Sequence, residues 1–249
     1  MRAVCLIPAR LASSRLPQKL LQTIGQKSII EHTYLNALKF DIFHKVAVVT
    51  DSIKIQKVIN DIGGEVIYKP LNYECGTDRV ADVVDLFDGE IIFNIQGDEP
   101  FLSKSCIMDM LNEFKDDSND DIDIVSSMVL FEDGREIENP NNVKVVTDIY
   151  SNALYFSRSV IPYRRGKTGF NAFYKHQGVY GFRKATLQDL KDRPRSPLEN
   201  EEKIEAIGFL EIGMKIRMVI NNTNTIGIDT PEDLIRAREF YQKINKRLS

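Results

Sequence analysis

Two spacings of apolar residues alternate through the first half of the chain. Short apolar runs at Ala3–Ile7, Val46–Val49 and Ile91–Ile95 are typical of strands that are buried on both faces. Between such runs the apolar residues recur at helical spacing, for example from Ile55 to Ile62. Because strands and helices alternate regularly, the pattern predicts βαβ units and an α/β fold with a mostly parallel sheet.

The apolar runs of the second half lie closer together. Ile124–Phe131, Val143–Thr147, Ala153–Phe156 and Lys175–Phe182 are typical of strands that have no long helices between them. A later helix is predicted from Pro197 through Leu210, since Pro is favoured at the first helical position. The sequence has no clear linker or repeat. We therefore predict a single domain over residues 1–249, with a smaller β-rich region for substrate or dimer contact.

Two aspartates follow predicted strands. The strand Ile91–Ile95 ends in a turn containing Gly and Pro, which leaves Asp98 at its carboxyl end. Ligands of open α/β sheets bind at that edge, and a carboxylate there can hold Mg²⁺. Asp229 lies between another strand and the helix that begins near Thr230. The two aspartates could share a metal ion if their strands are neighbours. The alternative for each is an ordinary turn or helix cap.

A polar loop after the first predicted strand carries three cations, Arg10, Arg15 and Lys19. It contains no glycine and therefore does not match the Walker A pattern of phosphate-binding loops. Arg and Lys are nevertheless the usual partners of phosphate groups, so the loop suits a triphosphate. The alternative is a solvated basic loop.

Composition argues against several classes of function. The 249 residues include 33 Lys and Arg against 36 Asp and Glu, and a net charge of −3 argues against nucleic-acid or membrane-surface partners. The cysteines Cys5, Cys75 and Cys106 form no CxxC motif, and unpaired thiols suit a reducing cytosol. Neither a signal-peptide pattern nor a run of transmembrane length is found, so we expect a soluble cytoplasmic protein.

Two other patterns permit more than one interpretation. His176 and Tyr180 would share one face of a strand, where they could line a polar pocket or lie on an exposed surface. Asp121 and Asp123 match the DxDx[TV] string of aspartate-nucleophile phosphatases. That chemistry needs acids that follow a strand, whereas these precede one. We therefore interpret the match as chance.

Nine blocks of sequence carry a more specific signal. They are IPARLASSRLPQKLL (Ile7–Leu21), VVTD (Val48–Asp51), GGEV (Gly63–Val66), CGTDRV (Cys75–Val80), NIQGDEPF (Asn94–Phe101), ALYFSRSVIP (Ala153–Pro162), HQGVYGFR (His176–Arg183), SPLE (Ser196–Glu199) and GIDTPEDL (Gly227–Leu234). In this order they resemble the 3-deoxy-manno-octulosonate (Kdo) cytidylyltransferases, or CMP-Kdo synthetases, over nearly the whole chain.

The resemblance implies a fold, an assembly and a reaction. The fold is a Rossmann-like nucleotide-diphospho-sugar transferase fold, with helices on both faces of its central sheet. The implied assembly is a homodimer, and the implied cofactor is Mg²⁺. The implied reaction joins CTP and Kdo to give CMP-Kdo and pyrophosphate, for lipopolysaccharide biosynthesis.

The resemblance also implies roles for residues that match the family's motifs. The triphosphate binders would be Arg10, Arg15 and Lys19, and the residues near the cytosine would be Gly76, Thr77 and Arg79. The Mg²⁺ ligands would be Asp98 and Asp229, and the sugar-acid contacts would be Gln96, Arg158, His176, Tyr180 and Glu205. The catalytic candidates are therefore Arg10, Lys19, Asp98 and Asp229.

Several positions depart from the family's usual residues. Gln18 stands where the family usually has Gly, Leu20 where it has Pro, and Cys75 where it has Ser. After Glu205 the family usually has Gln-Leu-Arg, whereas this chain has Ala-Ile-Gly at positions 206–208. The last change leaves room for a modified substrate, so an 8-amino analogue of Kdo is the alternative sugar acid.

Overall fold

The computed structural model describes residues 1–166, 172–223 and 225–248. The strands in these ranges are β1 (Ala3–Ala9), β2 (Thr23–Ile24), β3 (Lys27–Ser28), β4 (Lys45–Thr50), β5 (Val66–Tyr68), β6 (Ile91–Asn94), β7 (Ile124–Leu130), β8 (Lys144–Thr147), β9 (Ala153–Ser157), β10 (Tyr174–Arg183) and β11 (Ile216–Ile220).

The α-helices in the same ranges are α1 (Ile29–Lys39), α2 (Ile53–Asp61), α3 (Gly76–Ala81), α4 (Lys104–Asp116), α5 (Gly134–Ile137), α6 (Lys184–Asp189), α7 (Pro197–Glu202), α8 (Glu205–Glu211) and α9 (Pro231–Leu248). Two short 3₁₀ turns occupy Lys19–Leu21 and Val84–Leu86. Among the described residues, no helix is both long enough and apolar enough to cross a lipid bilayer.

The chain forms two compact units. The first, unit 1, combines Met1–Ser103 with Thr225–Ser249, and the second, unit 2, contains Lys104–Asn224. Compact units of one chain can still belong to one domain, so the assignment of residues 1–249 to a single domain stays a prediction.

Unit 1 is built on a parallel sheet in the order β6-β1-β4-β5. The central strand β1 is buried along its whole length, which explains why its sequence is apolar on both faces. Helix α1 begins at a capping box, in which Ser28 and Glu31 accept hydrogen bonds from each other's backbone N–H groups. The prediction of a parallel sheet with helices is therefore confirmed in this unit.

Unit 2 is mixed in strand direction. Its strands follow the order β11-β7-β10-β8-β9, with β11 parallel to β7 and the remaining pairs antiparallel. Ile124 of β7 lies opposite both Ile216 and Phe182, and all three side chains are buried. The prediction of a β-rich second half is thus correct.

The prediction of one helix from Pro197 to Leu210 is wrong in one respect, because the structure has two helices in this segment. Ser196 caps α7 by accepting a hydrogen bond from the Glu199 N–H at 3.0 Å. Lys203 then adopts a left-handed conformation, with φ of 54°, and ends α7. Helix α8 begins separately at Glu205. The spacing of apolar residues does not reveal a lysine in the left-handed conformation, so the break between the two helices was not predicted.

Candidate active site

The parallel strands of unit 1 bring several polar residues to one edge of its sheet. Arg10 follows β1, Asp51 follows β4 and Asp98 lies just beyond β6. Because β1 runs parallel to both β4 and β6, the carboxyl ends of the three strands lie side by side. This edge is where an open α/β sheet binds its ligands.

Asp98 and Asp229 converge at this edge although 130 residues separate them in sequence. The backbone N–H of Ile228 donates to the carbonyl of Asp98 at 3.1 Å, which draws the two segments together. The Lys19 ammonium then donates to the Asp98 carboxylate and, at 2.8 Å, to Oδ1 of Asp229. Arg15 pairs with Oδ2 of Asp229 at 3.1 Å. Two of the loop's three cations therefore contact the two predicted metal ligands.

Lys19 is the most enclosed member of this cluster. Its side chain is 13% exposed, whereas that of Asp229 is 51% exposed. Burial acts to lower the pKa of Lys19, but the charges of Asp98 and Asp229 and their hydrogen bonds outweigh it, and the pKa is raised. Lys19 is therefore a charged ammonium that the two carboxylates hold in place.

The backbone of the cationic loop is fixed close to the Asp98 turn. Gln18 adopts a left-handed conformation with φ of 49° and ψ of 39°, at a position where the related family usually has Gly. The buried side chain of Leu20 packs against Gly97, where a Cβ atom would lie 3.1 Å from Leu20 Cδ1 and from the Pro8 carbonyl. Neither Gln18 nor Leu20 prevents the loop from reaching Asp98.

The backbone of Asp229 is fixed by the start of α9. The Asp233 carboxylate accepts hydrogen bonds from the N–H groups of Thr230 and Asp229 at 2.9 and 3.1 Å. Burial acts to raise the pKa of Asp233, but the hydrogen bonds from Arg236 and from these two amides outweigh it and lower the pKa. On the other side, a Cβ at Gly227 would lie 2.7 Å from Glu99 Oε1, so a larger residue there would have to displace the Glu99 carboxylate.

A second polar group contains Arg79, which is 4% exposed. Its Nη2 donates to Asp51 Oδ2 at 2.8 Å, and the guanidinium lies over the Tyr73 ring at 4.8 Å. Its Nη1 is buried and has no hydrogen-bond partner among the described residues. A buried donor without a partner is costly, so this nitrogen is suited to an acceptor on a ligand.

Asp51 is a site residue that sequence reasoning missed. Besides pairing with Arg79, it accepts a hydrogen bond from the Leu11 N–H at 3.3 Å and so connects the cationic loop to α3. The signal was available, because Asp51 follows a buried strand in the same way as Asp98 does.

Gly76, Thr77 and Gln96 lie together beside this group. Asn94 donates to Thr77 Oγ1 at 3.0 Å and accepts from Gln96 Nε2 at 3.1 Å. A Cβ at Gly76 would lie 2.8 Å from Gln96 Oε1, so a larger residue there would have to displace the Gln96 side chain. Gln96, a predicted sugar contact, thus touches residues predicted for the nucleotide. Cys75 occupies the N-cap position of α3 without a side-chain capping bond, and Arg10 is exposed after β1.

The remaining predicted sugar contacts belong to unit 2. His176 and Tyr180 lie on β10 with their ring centroids 5.5 Å apart, and both are buried. A register shift between Gln177 and Tyr180 interrupts the strand's regular period. The short distance between the rings confirms that His176 and Tyr180 share a face. Because both side chains are buried, the alternative of an exposed strand face is wrong.

The hydrogen bonding of His176 defines its tautomer. Its Nε2 lies 3.0 Å from Ser126 Oγ, and that hydroxyl donates its one proton to the Val179 carbonyl at 2.8 Å. Nε2 must therefore carry the hydrogen, which leaves Nδ1 as an acceptor. Burial lowers the pKa of His176 from 6.5 to about 3, so the ring is neutral at physiological pH.

Arg158 follows β9 and is held by backbone carbonyls. Its Nε donates to the Glu202 carbonyl at 2.7 Å and its Nη1 to the Pro140 carbonyl at 2.8 Å, with a longer contact of 3.4 Å from Nη2 to Lys203. These contacts engage three of the five N–H groups that a guanidinium carries. They fix the side chain at the α7–α8 junction, where Glu205 is the first residue of α8.

The donor set at Asp98 and Asp229 fits one metal in particular. The described part of the chain contains no group of three or more His, Cys, Asp or Glu side chains that could hold a metal ion. Mg²⁺ does not need such a group, because it binds one or two carboxylates and fills its other positions with water or phosphate. The ammonium of Lys19 already marks a position for a cation between the two carboxylates.

Comparisons with known proteins first place the chain in a class. A family model described as cytidylyltransferase matches residues 4–216. Proteins named 3-deoxy-manno-octulosonate cytidylyltransferase from Christiangramia forsetii and Flavobacterium johnsoniae are each 45% identical to it. The first alignment covers 96% of both chains, and the second covers 98% of this chain and 100% of the relative.

A solved structure agrees with these relatives. It is a CMP:2-keto-3-deoxy-manno-octonic acid synthetase complexed with CTP, 34% identical, with a TM-score of 0.90 over 98% of this chain and 99% of the other. The chain belongs to the 3-deoxy-manno-octulosonate cytidylyltransferase family. The predicted fold class, family and nucleotidyltransferase activity are thereby confirmed. The roles of individual residues, the metal and the homodimer stay predictions.

Proposed function

We propose that this protein transfers CMP from CTP to Kdo, giving CMP-Kdo and pyrophosphate for lipopolysaccharide biosynthesis in the cytoplasm. The observation that carries the proposal is the convergence of Lys19, Asp98 and Asp229 at the carboxyl edge of a parallel sheet. The names of the relatives, at 45% identity over nearly full length, support the choice of substrates.

The nucleotide is assigned to unit 1. Arg10, Arg15 and Lys19 would bind the triphosphate, since guanidinium and ammonium groups are the usual phosphate partners. Gly76, Thr77 and Arg79 would surround the cytosine. The buried Nη1 of Arg79 supports this assignment, because a carbonyl or ring nitrogen of the base would supply the acceptor that it lacks.

Asp98 and Asp229 would hold Mg²⁺. When bound, the cation supplies charge neutralisation and orientation for phosphate oxygens. The carboxylates are suited to this role because their backbones are fixed, by the Ile228–Asp98 hydrogen bond and by the cap of α9.

Within unit 2, the sugar acid is assigned to Arg158, His176, Tyr180 and Glu205. Arg158 would bind the carboxylate of Kdo with its remaining N–H groups, since a planar guanidinium matches a carboxylate. The neutral His176 would accept a hydrogen bond from a sugar hydroxyl at Nδ1, in agreement with its tautomer.

The reaction is an in-line displacement. The anomeric hydroxyl of Kdo attacks the α-phosphorus of CTP, the bond from that phosphorus to the bridging oxygen breaks, and the hydroxyl proton is released to water. Arg10 and Lys19 stabilise the charge that develops on the departing pyrophosphate. Positioning and electrostatics, rather than a covalent intermediate, supply the catalysis.

The test is a CTP-dependent pyrophosphate-release assay that compares Kdo with its 8-amino analogue and with neuraminate. We expect release with Kdo, and a reduction on the order of a hundredfold in turnover for Asp98→Asn, because a fixed charge partner is lost. Release only with the analogue or with neuraminate would change the substrate. CTP binding without release with any sugar acid would indicate a non-catalytic binding module.

The protein is also proposed to be a homodimer. Three apolar side chains are strongly exposed in unit 2, namely Ile149 and Tyr150, between β8 and β9, and Leu154, on β9. A second copy of the chain would cover this surface, and sedimentation of the wild-type protein at equilibrium tests the assembly.

A further inference from the structure

The Lys19 ammonium occupies the position that the proposed function gives to the metal. We infer that Lys19 competes with the divalent cation for Asp98 and Asp229, so that the cation binds as the lysine side chain turns away. The inference rests on the proposed function, because it takes these two aspartates as the metal ligands. The inference adds that the ammonium group of Lys19 already occupies these two ligands.

The hydrogen-bond geometry makes the two cations compete for the same carboxylate oxygens. Nζ of Lys19 donates to carboxylate oxygens of both aspartates, at 2.8 Å in the case of Asp229. A magnesium ion that binds the same oxygens lies about 2.0–2.1 Å from them. An ammonium and a dication that share these oxygens would repel each other at contact distance. The ammonium on these oxygens therefore opposes binding of the metal ion to them.

The chain allows the side chain to move without the loop. The Lys19 carbonyl accepts a hydrogen bond from the Gln22 N–H at 3.0 Å, and the next residue, Leu20, is buried. The backbone at Lys19 is therefore anchored, whereas the lysine side chain can rotate about the bonds of its flexible four-carbon stem. A rotation of the side chain alone would remove the ammonium from both carboxylates, while Arg15 would remain paired with Oδ2 of Asp229 at 3.1 Å.

A triphosphate would give the displaced ammonium new partners. Phosphate oxygens accept from an ammonium as carboxylates do, so bound CTP would offset the hydrogen bonds that Lys19 loses. Nucleotide and metal would then bind cooperatively, with Lys19 transferred from the aspartates to the phosphates. Without nucleotide, Lys19 would keep the aspartates paired and the affinity for the metal low.

The test measures metal binding in the absence of nucleotide and of catalysis. Mn²⁺ is titrated into wild-type protein and into Lys19→Met, and free Mn²⁺ is followed by electron paramagnetic resonance. Methionine is an unbranched side chain one atom shorter than lysine, and it removes the ammonium. We expect the dissociation constant to fall about tenfold or more, since the ion no longer breaks two charged hydrogen bonds. Lys19→Gln, a polar replacement, should shift binding in the same direction.

Two controls define the site. Lys45→Met removes an ammonium that pairs with Glu65 at 2.7 Å elsewhere in unit 1, and it should leave Mn²⁺ binding unchanged. The double variant Lys19→Met/Asp98→Asn should lose the gain in affinity. Circular dichroism of each variant establishes that it is folded.

The outcomes separate the inference from the proposed function. If Asp98→Asn weakens Mn²⁺ binding but both Lys19 variants bind as the wild type does, the competition is overturned and the metal site stands. If neither the Asp98 nor the Lys19 variants change Mn²⁺ binding, the metal site is wrong and the inference falls with it. An equal gain in Lys45→Met would overturn the inference as a general charge effect.

Discussion

Acidification should destabilise this protein through one buried histidine. His176 is 8% exposed and packs against the rings of Phe156 and Tyr180, with Ser126 as its hydrogen-bond partner. Burial lowers its pKa from 6.5 to about 3 because a charged ring would lose its hydration. The folded chain therefore excludes a proton that the unfolded chain binds below about pH 6.5.

The sign and size of the effect follow from linkage. A depressed folded-state pKa leaves stability intact above 6.5 and removes it as the pH falls toward 3. Each pH unit below 6.5 costs ~1.4 kcal/mol, so the free energy of unfolding should fall by about 2 kcal/mol at about pH 5. The loss would approach ~5 kcal/mol near the folded-state pKa.

The assay compares urea unfolding of three proteins at about pH 7 and about pH 5. In His176→Gln the amide can still donate to Ser126, but the titrating ring is gone, so this variant should lose about 2 kcal/mol less on acidification than the wild type. His44→Gln is the matched control, since His44 is exposed before β4. The sequence has only three histidines, so an NMR titration can follow the His176 ring directly. Equal losses in the wild type and His176→Gln, or a His176 ring that titrates near 6.5, would refute the reasoning.

Two other predictions concern the edge of the unit 1 sheet. Gln18→Gly should stabilise the fold by about 0.5–1 kcal/mol, because φ of 49° suits glycine. The control Gln22→Gly, at φ of −64°, should destabilise the fold. Equal losses in the free energy of urea unfolding for the two variants would contradict this reasoning. Asp51→Asn should cost about 1–3 kcal/mol in stability and weaken CTP binding, because Arg79 keeps its charge in a buried position. The control Asp88→Asn removes the charge of an exposed partner of Arg2 and should change neither the stability nor the binding of CTP. An unaltered CTP dissociation constant in Asp51→Asn would exclude Asp51 from the site.

Sequence periodicity predicts local features of this fold better than its long-range contacts. The apolar runs identified the strands of unit 1, and the end of one of them pointed to Asp98. The expectation that Asp229 directly follows a strand was wrong, because the preceding strand β11 ends at Ile220, nine residues earlier. The pattern contains no information about the Ile228–Asp98 hydrogen bond that brings the aspartates together, because that contact joins distant segments. The position of Lys19 between the two aspartates was likewise not predicted from the sequence, since the cationic loop was assigned to phosphate binding alone. Asp51 was missed although its strand-end position followed the same rule.

The glycine at position 208, one of the departures at positions 206–208, has a structural explanation that does not involve the sugar. A Cβ at Gly208 would collide with the Glu199 carboxylate and lie 2.5 Å from Arg193 Nη2. Arg193 and Glu199 are paired at 2.7 Å, and Glu199 is buried with Arg195 as a second partner. A side chain at position 208, where the family usually has Arg, would therefore have to displace the paired and buried groups of Arg193 and Glu199.

This ion pair also supports the residues assigned to the sugar acid. The guanidinium of Arg193 lies 5.6 Å from the ring of Phe209, and that ring packs edge-on against Tyr180. The change at Gly208 is thus accommodated within unit 2, while Glu205 remains the first residue of the helix. An altered substrate is not needed to explain Gly208, and we expect the pyrophosphate-release assay to favour Kdo over its 8-amino analogue.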